Sequence, residues 1–140
     1  MLIITNNQKV MDEADPRFER YFVEGKYEEV LLAVRDRIHK GHRLLTHPLS
    51  GSVKPGQTPY KSILISKEAT ELHLESLQII EDSIRVYSTQ TKNQAGYREE
   101  IQTAAAEDFR EVDARLFAGA LESAMRAAKP MSEYKEEAKL

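Results

Sequence analysis

No cysteine occurs among the 140 residues of this chain. That excludes a disulfide framework, a thiolate zinc site, a cysteine-bound iron–sulfur cluster and a cysteine nucleophile. No uncharged apolar run approaches the roughly 18 residues that span a bilayer. The apolar opening Leu2-Ile3-Ile4 is too short for a secretory h-region and has no basic residues before it, so a soluble cytoplasmic protein is expected. The formal charge is −3, which gives no chain-wide attraction to nucleic acid or to an anionic membrane. The most informative absence is local: between Arg37 and Lys67 there is no aspartate or glutamate.

What that stretch does contain is concentrated positive charge. Six of the chain's 20 basic residues lie there, at Arg37, Lys40, Arg43, Lys54, Lys61 and Lys67, together with His39, His42 and His47. The rest of the chain carries 14 Lys/Arg against 23 Asp/Glu. Tyr60 is the one aromatic residue between these basic positions, so there is no base-stacking platform and no nucleic-acid partner is expected. No membrane partner is expected either. A cationic segment without competing carboxylates is suited to receive a small anion.

The length is that of one domain. An apolar fraction of 41% supplies a core, and a charged fraction of 31% keeps much of the surface in water. Leu2 to Thr5, Tyr21 to Val23, Leu44-Leu45 and Ser62 to Ser66 read as four short strands. Gln8 to Ala14 reads as a short helix that Pro16 ends. Tyr27 to Lys40 reads as an amphipathic helix, because Tyr27, Val30, Leu31, Val34 and Ile38 recur at three and four residues. Gly41 sits where a left-handed residue closes a helix. Leu74 to Tyr87 repeats the pattern through Leu77, Ile80 and Ile84.

From Tyr97 to Ala128 one long helix is expected, with Phe109, Val112, Leu116 and Ala120 on its apolar stripe. At 1.5 Å per residue it would run about 45 Å, so it kinks near Gly119 or packs on another chain. The fold expected is α/β: a two- or three-layer arrangement around a sheet of about four strands, partly parallel, with flanking helices and a long C-terminal helix. Residues 1–88 form the α/β domain, with loop 46–61 inside it. Residues 89–140 form a linker, the long helix and a frayed tail, either part of the same domain or an oligomerisation extension.

In open sheets ligands sit beyond the carboxyl ends of strands. Two such ends carry polar residues, at Thr5-Asn6-Asn7 and at Thr46-His47. The loop that follows, with Ser50, Gly51 and Ser52, offers hydroxyls and main-chain amides of the kind that cradle anions, and Lys54, Lys61 and His47 can supply charge. The plainer reading is a proline-pinned connection whose serines bond their own backbone. Gly51-Ser52-Val53-Lys54 is not a phosphate-binding Walker loop, since Pro55 follows the lysine. Ser50 is not a nucleophile elbow, since Pro48 and Ser52 stand where glycines are needed. His39, His42 and His47 have no neighbouring carboxylate, and no metal site or other cofactor is expected.

The runs MLIITNN, FVEG and KGHRLLTHPLSGSVKPGQTPYKSI resemble the GrdX-like family, as does the later LESLQIIEDSI. The resemblance covers residues 1 to about 88. It implies a small accessory protein encoded alongside the glycine, sarcosine and betaine reductase systems of amino-acid-fermenting anaerobes. It implies no catalytic residue. Those reductases work through selenol and thiol groups, and a chain without cysteine cannot be their redox carrier.

Three functions follow. The first is a module that binds a small anionic metabolite through Thr5, Asn6, Asn7, Thr46, His47, Ser50, Gly51, Ser52, Lys54 and Lys61. The second is an assembly partner of a reductase subunit, through the helices. The third is an unrecognised enzyme in which His47 acts as acid or base. A homodimer through residues 97–128 is expected.

Overall fold

A computed structural model describes residues 1–49, 57–92 and 103–127. The strands are β1 (Leu2–Thr5), β2 (Glu19–Phe22) and β3 (Ser62–Ile65). The helices are α1 (Gln8–Glu13), α2 (Tyr27–His39), α3 (Leu74–Thr91) and α4 (Ala106–Ala127).

The sheet has the order β2-β1-β3. β1 and β2 run parallel, with Ile4 opposite Tyr21, and β3 is antiparallel to β1, with Ile4 opposite Ile63. The partly parallel α/β class expected from the sequence is therefore present, but with three strands among the described residues rather than four. Leu44 makes only an isolated bridge to Ile65. The reason is local. The Leu64 N–H bonds to the Thr46 hydroxyl at 3.0 Å rather than to a backbone carbonyl. Leu45 N and Thr46 N both bond to the Leu64 carbonyl, at 2.9 and 3.3 Å. A side chain standing in for the strand stops the ladder from propagating.

β1 and β3 are buried on both faces, as their unbroken apolar runs require. Leu2, Ile4, Ile63 and Ile65 point to one side, where α2 and α3 cover them. Ile3 and Leu64 point to the other side, against Val10, Phe18, Phe117 and Leu121. The result is three layers, with α2 and α3 on one face and α1 and α4 on the other. β2 is an edge strand with an alternating pattern, and its exposed Tyr21 ring lies under the Arg37 guanidinium at 4.9 Å.

α2 ends as expected. Gly41 has φ +108, and a Cβ there would lie 2.0 Å from the Thr70 carbonyl oxygen. Tyr27 and Tyr87 stack at 4.8 Å and join α2 to α3.

α4 departs from the sequence expectation in two ways. It is continuous through Gly119, whose surroundings are open, and it lies on its own sheet. Its buried face is Asp113, Phe117 and Leu121, while Val112 and Leu116 are exposed. The apolar row expected from periodicity is the neighbouring row. Residues 93–102 and 128–140 of the expected long helix and tail lie outside the described residues.

Candidate functional site

The carboxyl end of β1 meets the amino end of β3 because the two strands are antiparallel with Thr5 opposite Ser62. Both positions carry hydroxyls. Thr5 Oγ1 and Ser62 Oγ lie 2.7 Å apart, buried and hydrogen-bonded. α4 crosses above them and lowers Asp113 into the pair. Asp113 Oδ2 accepts from Ser62 Oγ at 2.9 Å and from Asn7 Nδ2 at 3.0 Å. Asn7 Nδ2 also donates to the Arg110 carbonyl at 3.0 Å, so one asparagine bridges β1's exit to two turns of α4. The same Asn7 caps α1 through its Oδ1, which accepts from Lys9 N.

Asn6 works differently. Its Nδ2 donates to the Gly25 and Pro59 carbonyls and its Oδ1 accepts from Lys61 N, so it pins two loops to the end of the sheet. The loop's near end is held as well: the Tyr27 hydroxyl donates to the Pro48 carbonyl at 3.0 Å, and burial pushes the pKa of that phenol up. Arg110 donates to the Tyr60 hydroxyl at 3.0 Å and lies over its ring. Arg110 Nε is buried without a hydrogen-bond partner among the described residues.

Beside this network lies a cavity of about 110 Å³. Its polar wall is Thr46, His47, Lys61, Ser62 and Asp113. Leu116, Phe117 and Ala120 of α4 form the apolar wall. Charge inside it is opposed by burial. The Asp113 carboxyl is raised above its ordinary 3.8, because burial outweighs the hydrogen bonds from Asn7 and Ser62 and the attraction of Lys61. Lys61 is lowered below 10.5 by burial, with Asp113 pulling the other way. His47, although exposed at its surface, is lowered below 6.5 by partial desolvation and by Lys61. Its Nδ1 accepts from Leu49 N at 3.0 Å, which leaves the ring proton on Nε2 in the neutral form.

Of the ten residues expected to bind a ligand, three line the cavity: Thr46, His47 and Lys61. Thr5, Asn6 and Asn7 stand behind it and fix its walls. Ser50, Gly51, Ser52 and Lys54 lie outside the described residues. Leu44-Leu45 is not a strand of the sheet, so Thr46-His47 is not a strand end; Thr5 bonds Ser62, and Thr46 shares the cavity wall with it. Sequence reasoning missed Ser62 and Asp113. The segment free of acids is supplied with one by a helix 46 or more residues later, so the patch is not free of carboxylates in space. A signal for it existed: Asp113, Phe117 and Leu121 are spaced four apart, which puts a carboxylate in line with two apolar side chains.

The other histidines are engaged separately. His39 Nε2 lies 3.1 Å from Glu81, His42 Nδ1 bonds the Ser66 carbonyl, and His73 caps α3 by accepting from Ser76 N. No three His, Asp or Glu side chains among the described residues converge in a way that would hold a metal ion. No helix among them is long and apolar enough to cross a membrane.

The family model described as GrdX-like protein matches residues 2–122. The chain belongs to the GrdX-like family. The match reaches well past residue 88 and takes in most of α4, including Asp113, Phe117 and Leu121. α4 is therefore part of the family's fold and not an extension particular to this chain. Neither curated proteins nor solved structures give a match.

Proposed function

We propose that this GrdX-like protein is an accessory, non-redox component of anaerobic glycine, sarcosine and betaine reduction, and that it binds a small anionic ligand in the cavity at the base of loop 46–61. The observation that carries this reading is the convergence of Thr46, His47 and Lys61 with buried Ser62 on one small cavity. Lys61 is the cation for an incoming carboxylate or phosphate. Neutral His47 and the Thr46 side chain flank it. Ser50, Gly51, Ser52 and Lys54 follow in the same loop of the sequence and remain candidate ligand residues. The absence of cysteine supports a role outside electron transfer.

Titration calorimetry with acetate, inorganic phosphate, acetyl phosphate and nucleotides tests the reading. Heat from at least one, lost in Lys61→Met, is the expected result. No heat from any of them in a folded sample would remove it.

One observation favours a second role, assembly with a protein partner. Val112 and Leu116 are exposed one turn apart on α4. A reductase subunit captured by the wild type and not by a Val112→Ser, Leu116→Ser variant would support that role. The same variant tests for a homodimer by light scattering.

A further inference from the structure

The two edges of the sheet are finished differently. Along β3, residues 43–46 cover the strand: Leu45 N and Thr46 N donate to the Leu64 carbonyl, Ser66 N donates to the Arg43 carbonyl, and the Thr46 hydroxyl accepts from Leu64 N. Along β2 no such cover is present among the described residues. Val23 N donates to the Thr5 carbonyl, and that bond sets the ladder. Glu19, Tyr21 and Val23 turn their backbone groups towards β1, so Arg20 and Phe22 turn theirs outward. Those outward N–H and C=O groups have no protein partner among the described residues.

Proteins blunt an open edge with a bulge, a proline, a free charge or a covering segment. The register of β2 on β1 is unbroken from Glu19 to Phe22 and includes no proline. The Arg20 guanidinium is turned back onto the carbonyls of Met11, Ala14, Asp15 and Phe18, so it does not guard the edge. Only the shortness of the strand, four residues, restrains pairing.

We propose that the β2 edge docks a second copy of this chain, strand to strand and antiparallel, about a two-fold axis at Tyr21. With the axis there, Arg20 of each copy faces Phe22 of the other, and every outward N–H meets an outward C=O. Other axes do worse. An axis at Arg20 puts two arginines opposite each other and faces Phe22 with Phe18, whose N–H and C=O are already bonded. An axis at Phe22 faces Arg20 with Glu24, which lies past the end of the strand.

The side chains agree with the axis at Tyr21. Tyr21 is 49% exposed, and at the axis the two rings form a cross-strand aromatic pair. Arg37 lies over the ring at 4.9 Å and makes no ion pair among the described residues. Glu19 of the second copy is the diagonal neighbour of Tyr21 on the same face, within reach of that guanidinium. The contact is thus complementary in charge as well as in backbone. It involves neither the cavity nor Val112 and Leu116 of α4.

The full chain tests this by light scattering at about 50 µM, where a Kd of about 10 µM gives mostly dimer. The wild type and the Val112→Ser, Leu116→Ser variant are expected at twice the chain mass, and Tyr21→Lys at the single mass with unchanged circular dichroism. A second measurement uses the absence of cysteine. Directly opposed residues at this axis have Cα atoms about 4.5 Å apart, within disulfide range. Tyr21→Cys is therefore expected to oxidise to a covalent dimer at least about tenfold faster than Leu74→Cys, an exposed position away from the edge. A monomeric wild type, a Tyr21→Lys variant that stays dimeric, or equal cross-linking of the two cysteine variants overturns the proposal. A dimer lost only in the Val112→Ser, Leu116→Ser variant places the contact on α4 and overturns it too.

Discussion

The two faces of the sheet are built on different principles. The α2/α3 face is mainly apolar: Ile4, Ile63 and Ile65 meet Val30, Leu31, Val34, Ile38 and Ile80, all fully buried, with the small hydroxyls of Ser76, Ser83 and Thr91 also buried along α3. The α1/α4 face has an apolar half, with Ile3, Leu64, Phe117 and Leu121, and a polar half, with Thr5, Asn7, Ser62 and Asp113. The first face is held mainly by water exclusion, and its buried hydroxyls bond nearby backbone groups. The second binds its helix through a chain of hydrogen bonds around a carboxylate that burial disfavours.

The largest expected effect separates the faces by packing. Ile65→Ala, at a fully buried position on the α2/α3 face, should cost about 2–5 kcal/mol in urea unfolding. Leu121→Ala, at the rim of the other face, should cost less than Ile65→Ala does, on the order of 1–3 kcal/mol. Equal losses would mean that α4 is as integral as α2.

Next comes the backbone at the end of α2. Gly41→Ala should destabilise by about 1–3 kcal/mol, since positive φ and the Thr70 carbonyl both oppose a Cβ. Gly119→Ala should move the other way, by up to about 1 kcal/mol, because that helical glycine has open space around it. Opposite signs for the two glycines, read from thermal midpoints, would confirm that α4 is an unkinked helix resting on its own sheet.

How much of this was legible depended on the face. The α2/α3 side reads directly from the sequence, because Tyr27, Val30, Leu31, Val34 and Ile38 recur with a helical period and β3 is an apolar run. Gly41 was legible for the same reason: a helix ended there. The other side misled. An aspartate on the buried stripe made the row of Val112 and Leu116 look like the core, one residue out of step with Phe117 and Leu121. Leu44-Leu45 looked like a strand, and only the Thr46 hydroxyl's capture of Leu64 N–H explains why it is not one. Ser62 was read as the start of a strand, and its pairing with Asp113 spans 51 residues, which no local spacing reveals.

The smallest effect concerns pH. Asp113 has its folded pKa raised by burial, so its contribution to stability is present below the ordinary 3.8 and is lost as pH rises through the folded value. Lys61 is lowered, so the stability linked to it is complete above 10.5 and is lost as pH falls through its lowered folded value. The stability of the wild type relative to Asp113→Asn should therefore fall as pH rises above the ordinary 3.8 of the carboxyl. Parallel curves for the two proteins would show that Asp113 carries no burial penalty.

The central proposal is that the cavity lined by Thr46, His47, Lys61, Ser62 and Asp113 receives a small anion. A crystal structure of the full chain grown in saturating acetate or inorganic phosphate tests it most directly. The account predicts density for the anion in that cavity. Ordered water alone in that space, or the anion bound at another position, would contradict it.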